Sequence, residues 1–456
     1  MKEVYDLVIL GGGSAGYAAA IIAAEKKKSV LIIEKGPFGG LCILKGCMPS
    51  KTLLYSARLN ELMKKAHKLG IVLPQEPVVN LPYIIHRKDK IIQGFADYKK
   101  EVLEKNKKYI RLVYGTAEFV SPKEVRVNNI KIKGKYFLIA TGSKIFIPPI
   151  EGLQETGYLT SDEALEIKKL PESLVILGAG AIAMELGYYF QSLGAKVTIL
   201  QKNNQILDHM DHASAKEVEE IFRKKGMQIY TGVDIKRISK DDTKKKIEFL
   251  HKTTKKMIVT DEILLALGRR PNLEPLNVEK AGIKLYNGKL KTNKFLQTNV
   301  KHIYAAGDAS GNLLVVNVAV EEGKIAAENM FSSKNKSLNY NLVPMAIFCH
   351  PEIAWIGLTQ RQAEEQKLKV KIGKLPYEDL GKAVCYDETE GYIKFIINPK
   401  DKQILGVEIV GYAASDIIHE ALPLLYYKAT LEDLKKMPHI HPTFGEIYSY
   451  LVDEMT

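Results

Sequence analysis

Short, mostly apolar runs, each opened by one polar residue and separated by a glycine-rich turn, mark the first part of the chain. Residues 6–10 form such a run, followed at once by Gly11-Gly12-Gly13-Ser14-Ala15-Gly16 and an alanine-rich stretch. Apolar runs of this length that end at turn residues predict buried strands. A second run, residues 29–33, predicts the next strand, which ends at Glu34. The pattern therefore predicts a strand, a glycine turn, a helix, a strand and an acid.

The same order returns near the middle of the chain. Residues 173–177 predict a strand, Gly178-Ala-Gly-Ala-Ile-Ala183 a turn that opens a helix, and residues 196–200 a second strand. Ala183 stands in the place of the third glycine, and Gln201 follows the strand in the place of an acid. Two such units predict an α/β chain with two Rossmann-like dinucleotide-binding domains.

The first glycine turn has the chemistry that a pyrophosphate needs. Gly11, Gly13 and Gly16 permit a tight turn and a close approach of the backbone, and the following helix offers unpaired N–H groups. Glu34, 18 residues after Gly16, is placed to accept hydrogen bonds from an adenosine ribose. A glycine triplet alone is weak evidence, but the flanking strands and the acid make dinucleotide binding the prediction.

The second turn leaves the choice between NAD and NADP open. A carboxylate after the second strand would favour NAD and repel the 2′-phosphate of NADP, and Gln201 removes that repulsion. Lys202 would attract the phosphate, or it points to solvent while Gln201 binds the ribose. Two dinucleotide sites in one chain imply two redox carriers, and a tightly held flavin with a diffusible nicotinamide is the natural pair.

Composition and charge narrow the classes of protein. The 456 residues are enough for several domains, and 46% are hydrophobic and 26% charged, which is typical of globular proteins. The sequence shows no secretory leader and no apolar run of about 20 residues that would cross a membrane, so a cytoplasmic protein is expected. The net charge of +13 comes from scattered lysine runs, and zinc-finger spacings and basic-heptad patterns are absent. Neither nucleic acid nor membrane is an expected partner.

Two of the four cysteines, Cys42 and Cys47, lie five positions apart just after the first unit. Residues five apart on a regular helix are separated by about 7.5 Å, whereas bonded cysteines have Cα atoms about 4.4–6.8 Å apart. A bond between them therefore needs a distorted helix, and Gly46 makes such a bend easy. The isolated Cys349 and Cys385 are expected to be small buried side chains.

The cysteine pair has three interpretations. A metal site is disfavoured, because no second Cys or His cluster completes a tetrahedral set, and no metal is expected. Two inert structural thiols remain an alternative. A redox-active pair is favoured by its position after a flavin-type unit and by Lys45 and Lys51, whose charge would favour a thiolate.

The chain resembles the flavin-dependent pyridine nucleotide–disulfide oxidoreductases over essentially its whole length. Residues 39–51 match that family's redox-cysteine motif, G-G-x-C-x-x-x-G-C-x-P-S-K, and further matches occupy residues 140–143, 178–187, 268–272, 304–308 and 439–446. The resemblance implies an FAD-binding domain at 1–145 and 271–340 and an NAD(P)-binding domain at 146–270. It also implies an α+β dimerisation domain at 341–456, and hence a homodimer.

The resemblance also implies roles for single residues. Cys47 would lie at the flavin, Cys42 would exchange with the substrate, and Lys51 would pair with Glu185 beside the flavin N5. Asp308 would bind the ribityl chain. The remaining FAD contacts would be Gly11, Gly13, Ser14, Ala15, Gly16, Glu34, Lys35, Gly40, Ala117, Ala140, Thr141 and Gly142, and the NAD(P) contacts Gly178, Gly180, Ala181, Ile182, Gln201, Lys202, Val233 and Gly268.

His441 is the predicted acid–base. It precedes Pro442, which biases its backbone away from helix, and Pro442 suits a first helical turn. Glu446 would then lie one turn inside the helix and reach back to the imidazole, a common arrangement for moving protons to and from thiols. In the family this histidine comes from the partner subunit. His439 is less favoured as the acid–base and is expected to be a supporting or a surface residue.

Within the family the chain is most similar to the dihydrolipoamide dehydrogenases. The sequence Pro49-Ser-Lys51, the segment 350–357 and a cysteine-free 451–456 support that subgroup, with a small dithiol or a protein-bound lipoyl group as substrate. Ala181, Ala183 and Gln201 depart from it, as do the residues between the cysteines. An NADPH-dependent reductase of another small disulfide is therefore the alternative, and a non-catalytic flavoprotein is the remaining one.

Overall fold

The structure is a computed structural model that describes residues 4–456. The chain divides into two compact units. Unit 1 comprises the residues up to Pro49 together with His86–Phe146 and Gly268–Tyr340. Unit 2 comprises Ser50–Ile85, Ile147–Leu267 and Asn341–Thr456. The finer three-domain boundaries proposed from the sequence stay a prediction.

The strands and helices of residues 4–456 are numbered in chain order. The strands are β1 (Val4–Leu10), β2 (Val30–Glu34), β3 (Ile110–Tyr114), β4 (Glu118–Ser121), β5 (Glu124–Val127), β6 (Ile130–Ile139), β7 (Ser143–Ile145), β8 (Ser173–Leu177), β9 (Lys196–Leu200), β10 (Gln228–Tyr230), β11 (Val233–Asp241), β12 (Lys244–His251), β13 (Thr254–Thr260), β14 (Glu262–Leu265), β15 (Arg269–Pro271), β16 (Leu285–Tyr286), β17 (Lys289–Leu290), β18 (Ile303–Ala305), β19 (Met345–Ile347), β20 (Glu352–Gly357), β21 (Lys371–Pro376), β22 (Tyr392–Ile397) and β23 (Ile404–Gly411). The α-helices are α1 (Ser14–Glu25), α2 (Gly40–Leu44), α3 (Cys47–Lys65), α4 (Leu81–Lys105), α5 (Leu153–Thr156), α6 (Ser161–Ala164), α7 (Ala181–Leu193), α8 (His212–Lys224), α9 (Val316–Phe331), α10 (Gln360–Glu365), α11 (Gly381–Tyr386), α12 (Ala414–Ile417), α13 (Ala421–Tyr426), α14 (Leu431–Lys435) and α15 (Ile447–Met455).

Unit 1 is built on a mostly parallel sheet in the order β3-β2-β1-β6-β5-β4, with β18 beside β6. Strand β1 runs parallel to β2 and β6 at its centre, which explains why residues 7–10 are apolar on both faces. The Asp6 carboxylate accepts hydrogen bonds from the Ser29 N–H and hydroxyl, each 2.9 Å long, and so fixes the start of β2 against β1. The strand–helix–strand unit predicted from the sequence is confirmed.

Small residues bring helix α1 of unit 1 against the backbone of α9. The buried face of α1 is mostly alanine, and a Cβ on Gly323 of α9 would collide with the Ala15 carbonyl. Glycine at position 323 therefore permits the close approach of the two helices.

Unit 2 contains the second parallel sheet, in the order β10-β9-β8-β14, with α7 directly after β8. It also contains the antiparallel sheet β11-β12-β13 and a five-stranded antiparallel sheet, β19-β20-β23-β22-β21. The apolar face of the latter packs with residues of the last helices, including the fully buried Tyr448 and Leu451 of α15. The mixture of two parallel nucleotide-binding sheets and an α+β C-terminal part confirms the predicted fold class.

Unit 2 holds a buried ionic group that the sequence pattern did not reveal. The Lys394 ammonium, 3% exposed, lies 2.8 Å from Glu408 and is also paired with Asp211. Asp211 is the N-cap of α8, where it accepts a hydrogen bond from the Ser214 N–H. The pair therefore ties α8 to the C-terminal sheet. Across residues 4–456, we find no helix with the length and apolar character that crossing a membrane requires.

Candidate active site

The first glycine turn lies between β1 and α1 of unit 1. Gly11 has φ +108°, and a Cβ there would collide with the Ala140 carbonyl, so the turn closes against the end of β6. The Gly12 N–H donates to a Glu34 carboxylate oxygen at 2.7 Å, and the Gly36 N–H donates to the other at 3.0 Å. The structure thus places Glu34 beside the turn, where the sequence predicts a ribose ligand.

The cysteine segment lies directly on this glycine turn. Gly40, the first residue of α2, has φ +73°, and a Cβ there would collide with the Cα of Gly13. Only a glycine at this position lets α2 approach the turn so closely. Cys42 lies within α2 and is partly exposed.

The predicted distortion between the two cysteines is present. Helix α2 ends at Leu44, Lys45 has a non-helical φ of −145°, and α3 begins at Cys47. A Cβ on Gly46 would lie only 2.9 Å from the Leu41 oxygen and 3.2 Å from the Cys42 Cα. The backbone at Gly46 therefore folds back onto Cys42, which brings Cys47, itself partly exposed, toward its partner.

The residues after β6 suit an FAD-type ligand. The Thr141 hydroxyl is buried and has no hydrogen-bond partner within residues 4–456, although buried polar atoms are normally paired. Asp308 lies in a 3-10 turn after β18 and accepts a hydrogen bond from Ser143 at 2.5 Å. Arg269 in turn donates to the Ser143 hydroxyl at 2.9 Å. An orphaned hydroxyl, a carboxylate and a glycine cradle fit the chemical groups of FAD.

The other predicted FAD contacts fall in the same unit except Lys51. Ser14 and Ala15 open α1, Lys35 is exposed after β2, Ala117 is buried before β4, and Gly142 has φ +67°. Lys51 belongs to unit 2.

The second glycine turn repeats this construction in unit 2. Gly178 has φ +102° and closes against the Ala266 carbonyl, while Gly180 caps α7, which begins with the exposed Ala181 and the half-buried Ile182. Gly268, the remaining predicted contact, belongs to unit 1.

The predicted NAD(P) site has glutamine, not an acid, directly after β9. The Gln201 side chain is buried and donates to the Gln205 carbonyl at 3.3 Å, and its backbone carbonyl accepts from the Val233 N–H. Lys202 is exposed. The Lys202 cation therefore faces solvent directly after Gln201, the position at which an acid would repel a phosphate.

Lys51 and Glu185 form an ion pair across 134 positions of sequence. The ammonium lies 2.9 and 2.8 Å from the two carboxylate oxygens, and it stands 4.4 Å from the centroid of the Phe348 ring. The Phe348 N–H donates to the same carboxylate at 3.0 Å. Glu185 is buried on α7, so its charge is neutralised by a lysine that stays partly exposed.

His441 and Glu446 are also brought together. The imidazole Nδ1 lies 2.9 Å from a Glu446 oxygen, and the Thr443 N–H donates to the other at 2.7 Å. Burial raises the pKa of Glu446, but these two hydrogen bonds outweigh it and hold the pKa below its ordinary value. The carboxylate is buried while the His441 side chain is 72% exposed.

Two expectations about this segment need correction. Pro442 does not occupy a first helical turn, because Thr443 is the N-cap of the short 3-10 helix Phe444–Glu446 and Pro442 precedes it. Of the two expectations for His439, a supporting or a surface residue, the structure contradicts the second. His439 bonds to Glu420 at 2.7 Å and to Ser449 at 2.6 Å and is largely buried.

The two isolated cysteines have different environments. Cys349 is 2% exposed, as expected, and burial raises the pKa of its thiol well above the ordinary value. Cys385 on α11 is exposed, so the expectation of a buried side chain is wrong there. It lies in a six-residue helix whose inward position is taken by Ala383.

The chain is similar to known proteins over most of its length. Residues 5–323 match the family described as "Pyridine nucleotide-disulphide oxidoreductase", and residues 343–451 match its dimerisation domain. A mercuric reductase of Staphylococcus aureus is 35% identical over 94% of this chain and 78% of its own length. A dihydrolipoyl dehydrogenase of Bacillus subtilis is 34% identical over 98% of this chain and 97% of its own.

A solved structure shares the whole fold. The Cu(II) complex of the HOCl-induced flavoprotein disulfide reductase RclA from Escherichia coli superposes with a TM-score of 0.90 at 27% identity, covering 100% of both chains. The matched family uses FAD and NAD(P)H, and its dimerisation domain supports a homodimer. The chain therefore belongs to the family of pyridine nucleotide–disulphide oxidoreductases.

Proposed function

We propose that Cys42 and Cys47 form the redox pair of a cytoplasmic dihydrolipoamide dehydrogenase. The observation that carries the proposal is the break between α2 and α3, which folds Gly46 against Cys42 on the glycine turn of unit 1. A regular helix would hold the two sulfurs too far apart to form and break a bond.

The exchange chemistry balances on this pair. One thiolate of the dithiol substrate attacks the Cys42 sulfur, the Cys42–Cys47 bond breaks, and Cys47 leaves as a thiolate. The second substrate thiolate then attacks the substrate sulfur of the mixed disulfide. The substrate leaves as a cyclic disulfide, and Cys42 is released as a thiolate. The pair has gained two electrons, and the substrate has lost two electrons and two protons.

His441 is proposed to take up these two protons one at a time, releasing the first to solvent before it accepts the second. Its Nδ1 lies 2.9 Å from Glu446, which fixes the orientation of the ring, and most of the ring stays exposed for a substrate thiol. We assign this histidine to the active site of the partner subunit.

FAD, when bound, supplies the two-electron carrier between the cysteine pair and the nicotinamide. The chain's own residues would hold it: Glu34 would bind the ribose, Thr141 and Asp308 would bind polar groups of the flavin half, and Lys51 would offer a cation whose position Glu185 fixes. A fixed cation favours negative charge on a neighbouring ring without reorganisation.

The alternative is an NADPH-dependent reductase of another small disulfide. It is favoured by the buried Gln201 and the exposed Lys202 after β9, since neither repels a 2′-phosphate. The relatives also include mercuric reductases, so Hg(II) belongs among the substrates to be tested.

Steady-state turnover of the holoenzyme distinguishes these functions. Dihydrolipoamide with NAD and with NADP should be compared with glutathione disulfide and with Hg(II), each with NADPH. The proposal predicts the largest kcat/KM for dihydrolipoamide. A larger kcat/KM for glutathione disulfide or Hg(II) would contradict it, and no turnover with any of them would indicate a non-catalytic flavoprotein.

A further inference from the structure

Helix α4 presents one face to the segment that carries Cys42. Ile92 and Ala96 of α4 pack with Ile43, the residue after Cys42. Lys99 follows Ala96 by three positions and Ile92 by seven, so it lies on the same face of the helix. Unit 1 thus places Lys99 on the face of α4 that packs against the cysteine segment.

The Lys99 ammonium is held at this edge. It lies 4.5 Å from the centroid of the Tyr17 ring on α1, and the side chain is partly buried. Burial lowers the pKa of Lys99, and the charge of an ionised Cys42 acts in the opposite direction. The packing of this helix face on Ile43, together with the interaction between the two charges, places the lysine within electrostatic reach of the Cys42 sulfur.

We propose that Lys99 determines substrate specificity by giving Cys42 a preference for disulfides and dithiols that carry a negative charge near the sulfur. The inference rests on the proposed function, which assigns Cys42 to the substrate. Exposed aromatic side chains flank the lysine, with Phe95 39% and Tyr98 63% exposed. An acid with an apolar stem, such as a lipoic acid carboxylate or an acidic surface around a lipoyl group, matches this combination.

The size of the effect follows from Coulomb's law. A unit charge several ångströms from the reacting sulfur changes the rate for an anionic reagent by roughly threefold to tenfold. Salt of about 0.5 M should reduce the effect, because the charges are partly exposed to solvent.

The test uses two alkylating reagents that differ in charge. The reduced holoenzyme is treated with iodoacetate, an anion, or with iodoacetamide, which is neutral, and the rate at Cys42 is measured by mass spectrometry. Trypsin separates the two cysteines, since Cys42 lies in the peptide 36–45 and Cys47 in the peptide 46–51.

Lys99→Met should lower the iodoacetate-to-iodoacetamide rate ratio at Cys42 by roughly threefold to tenfold, and Lys99→Glu should lower it further. Lys99→Arg should keep the wild-type ratio. The matched control is Lys100→Met, which removes the same charge from the next position of α4, where the side chain is exposed and lies 3.6 Å from Asp97. An unchanged ratio in Lys99→Met, or an equal fall in Lys100→Met, would overturn the proposal. A fall of the rate ratio in Lys99→Arg to the value of Lys99→Met would overturn the proposal as well.

The ratio is independent of the natural substrate, so it separates this inference from the proposed function. The wild-type ratio should also fall toward that of Lys99→Met at high salt, a measurement that needs no variant. The turnover rates with lipoate and with lipoamide, which differ in one carboxylate, then test whether Lys99 has the same effect in catalysis. The preference for lipoate should be smaller in Lys99→Met, and an unchanged preference would contradict the role in specificity.

Discussion

Lys51 bonds both carboxylate oxygens of Glu185, at 2.9 and 2.8 Å, although 134 positions separate them in the sequence. The carboxylate also accepts the Phe348 N–H, so one buried acid fixes a helix, a lysine and the backbone before Cys349. An isolated charge at Glu185 would be costly, because the side chain is 9% exposed.

Lys51→Met should therefore destabilise the fold by leaving Glu185 unpaired. We expect the free energy of unfolding to fall by about 1–3 kcal/mol. The double variant Lys51→Met/Glu185→Gln should lose less than the sum of the single losses, since no buried charge is left over. Chemical denaturation of the holoenzyme checks both, and strictly additive losses would contradict the pairing.

Gly40→Ala should weaken the retention of FAD. Its φ of +73° and the collision of a Cβ with the Gly13 Cα force α2 away from the glycine turn. A cost of about 1–3 kcal/mol is expected for the backbone strain alone. Flavin released on dilution is the measurement. Gly36→Ala is the control, because a Cβ there meets no atom within 4 Å, and equal flavin loss in both variants would contradict the account.

The environment of Gln201 and Lys202 predicts how the nicotinamide preference changes. Gln201→Glu restores a carboxylate after β9 and should raise the KM for NADPH relative to NADH by roughly tenfold. Lys202→Met should raise the KM for NADPH alone, because only the 2′-phosphate carries the additional charge. If Lys202→Met changed both KM values equally, the lysine would have no part in phosphate recognition.

His441→Gln should reduce kcat by roughly 10²–10⁴-fold, the usual contribution of a positioned acid–base. Glu446→Gln should reduce it less, since the imidazole remains.

A second readout concerns stability. Because the folded pKa of Glu446 lies below its ordinary value, its stabilising contribution is complete above about pH 4.5 and is lost as the pH falls through the lowered pKa.

The pH dependence of unfolding therefore checks the Glu446 contact separately from catalysis. Wild type should lose more stability than Glu446→Gln as the pH falls below about 4.5. If the free energy of unfolding changed with pH in the same way in both proteins, the contacts of the carboxylate with Thr443 and His441 would not stabilise the fold.

The sequence predicts the elements that local chemistry determines. The glycine turns, the interrupted helix at Gly46 and the His441–Glu446 contact all depend on residues close together in the chain. Lys51 and Glu185 were predicted to pair through the family resemblance, because no local pattern connects positions so far apart. Cys385 was misplaced for a local reason: α11 is too short for its apolar pattern to show which face is buried.

Long-range ionic groups escaped prediction. The neighbours of Lys394 along β22 are tyrosine, isoleucine and phenylalanine, and they give no sign of an ion pair. Lys394 is nevertheless buried and paired with Asp211, 183 positions away. The sequence does not distinguish Lys99 from the other lysines, whereas the structure places it on the face of α4 that packs against Ile43, the residue after Cys42. Such contacts are set by how distant elements pack, which residue periodicity does not contain.

The central claim is that Cys42 and Cys47 carry the electrons of the reaction. The most direct measurement is the turnover of dihydrolipoamide by FAD-loaded Cys47→Ser, with alkylation of the peptides 36–45 and 46–51 before and after one equivalent of substrate. In wild type, both cysteines should become alkylable on reduction, and in the variant turnover should fall by at least about a thousandfold. A Cys47→Ser enzyme that binds FAD and keeps turnover within tenfold of wild type would contradict the account.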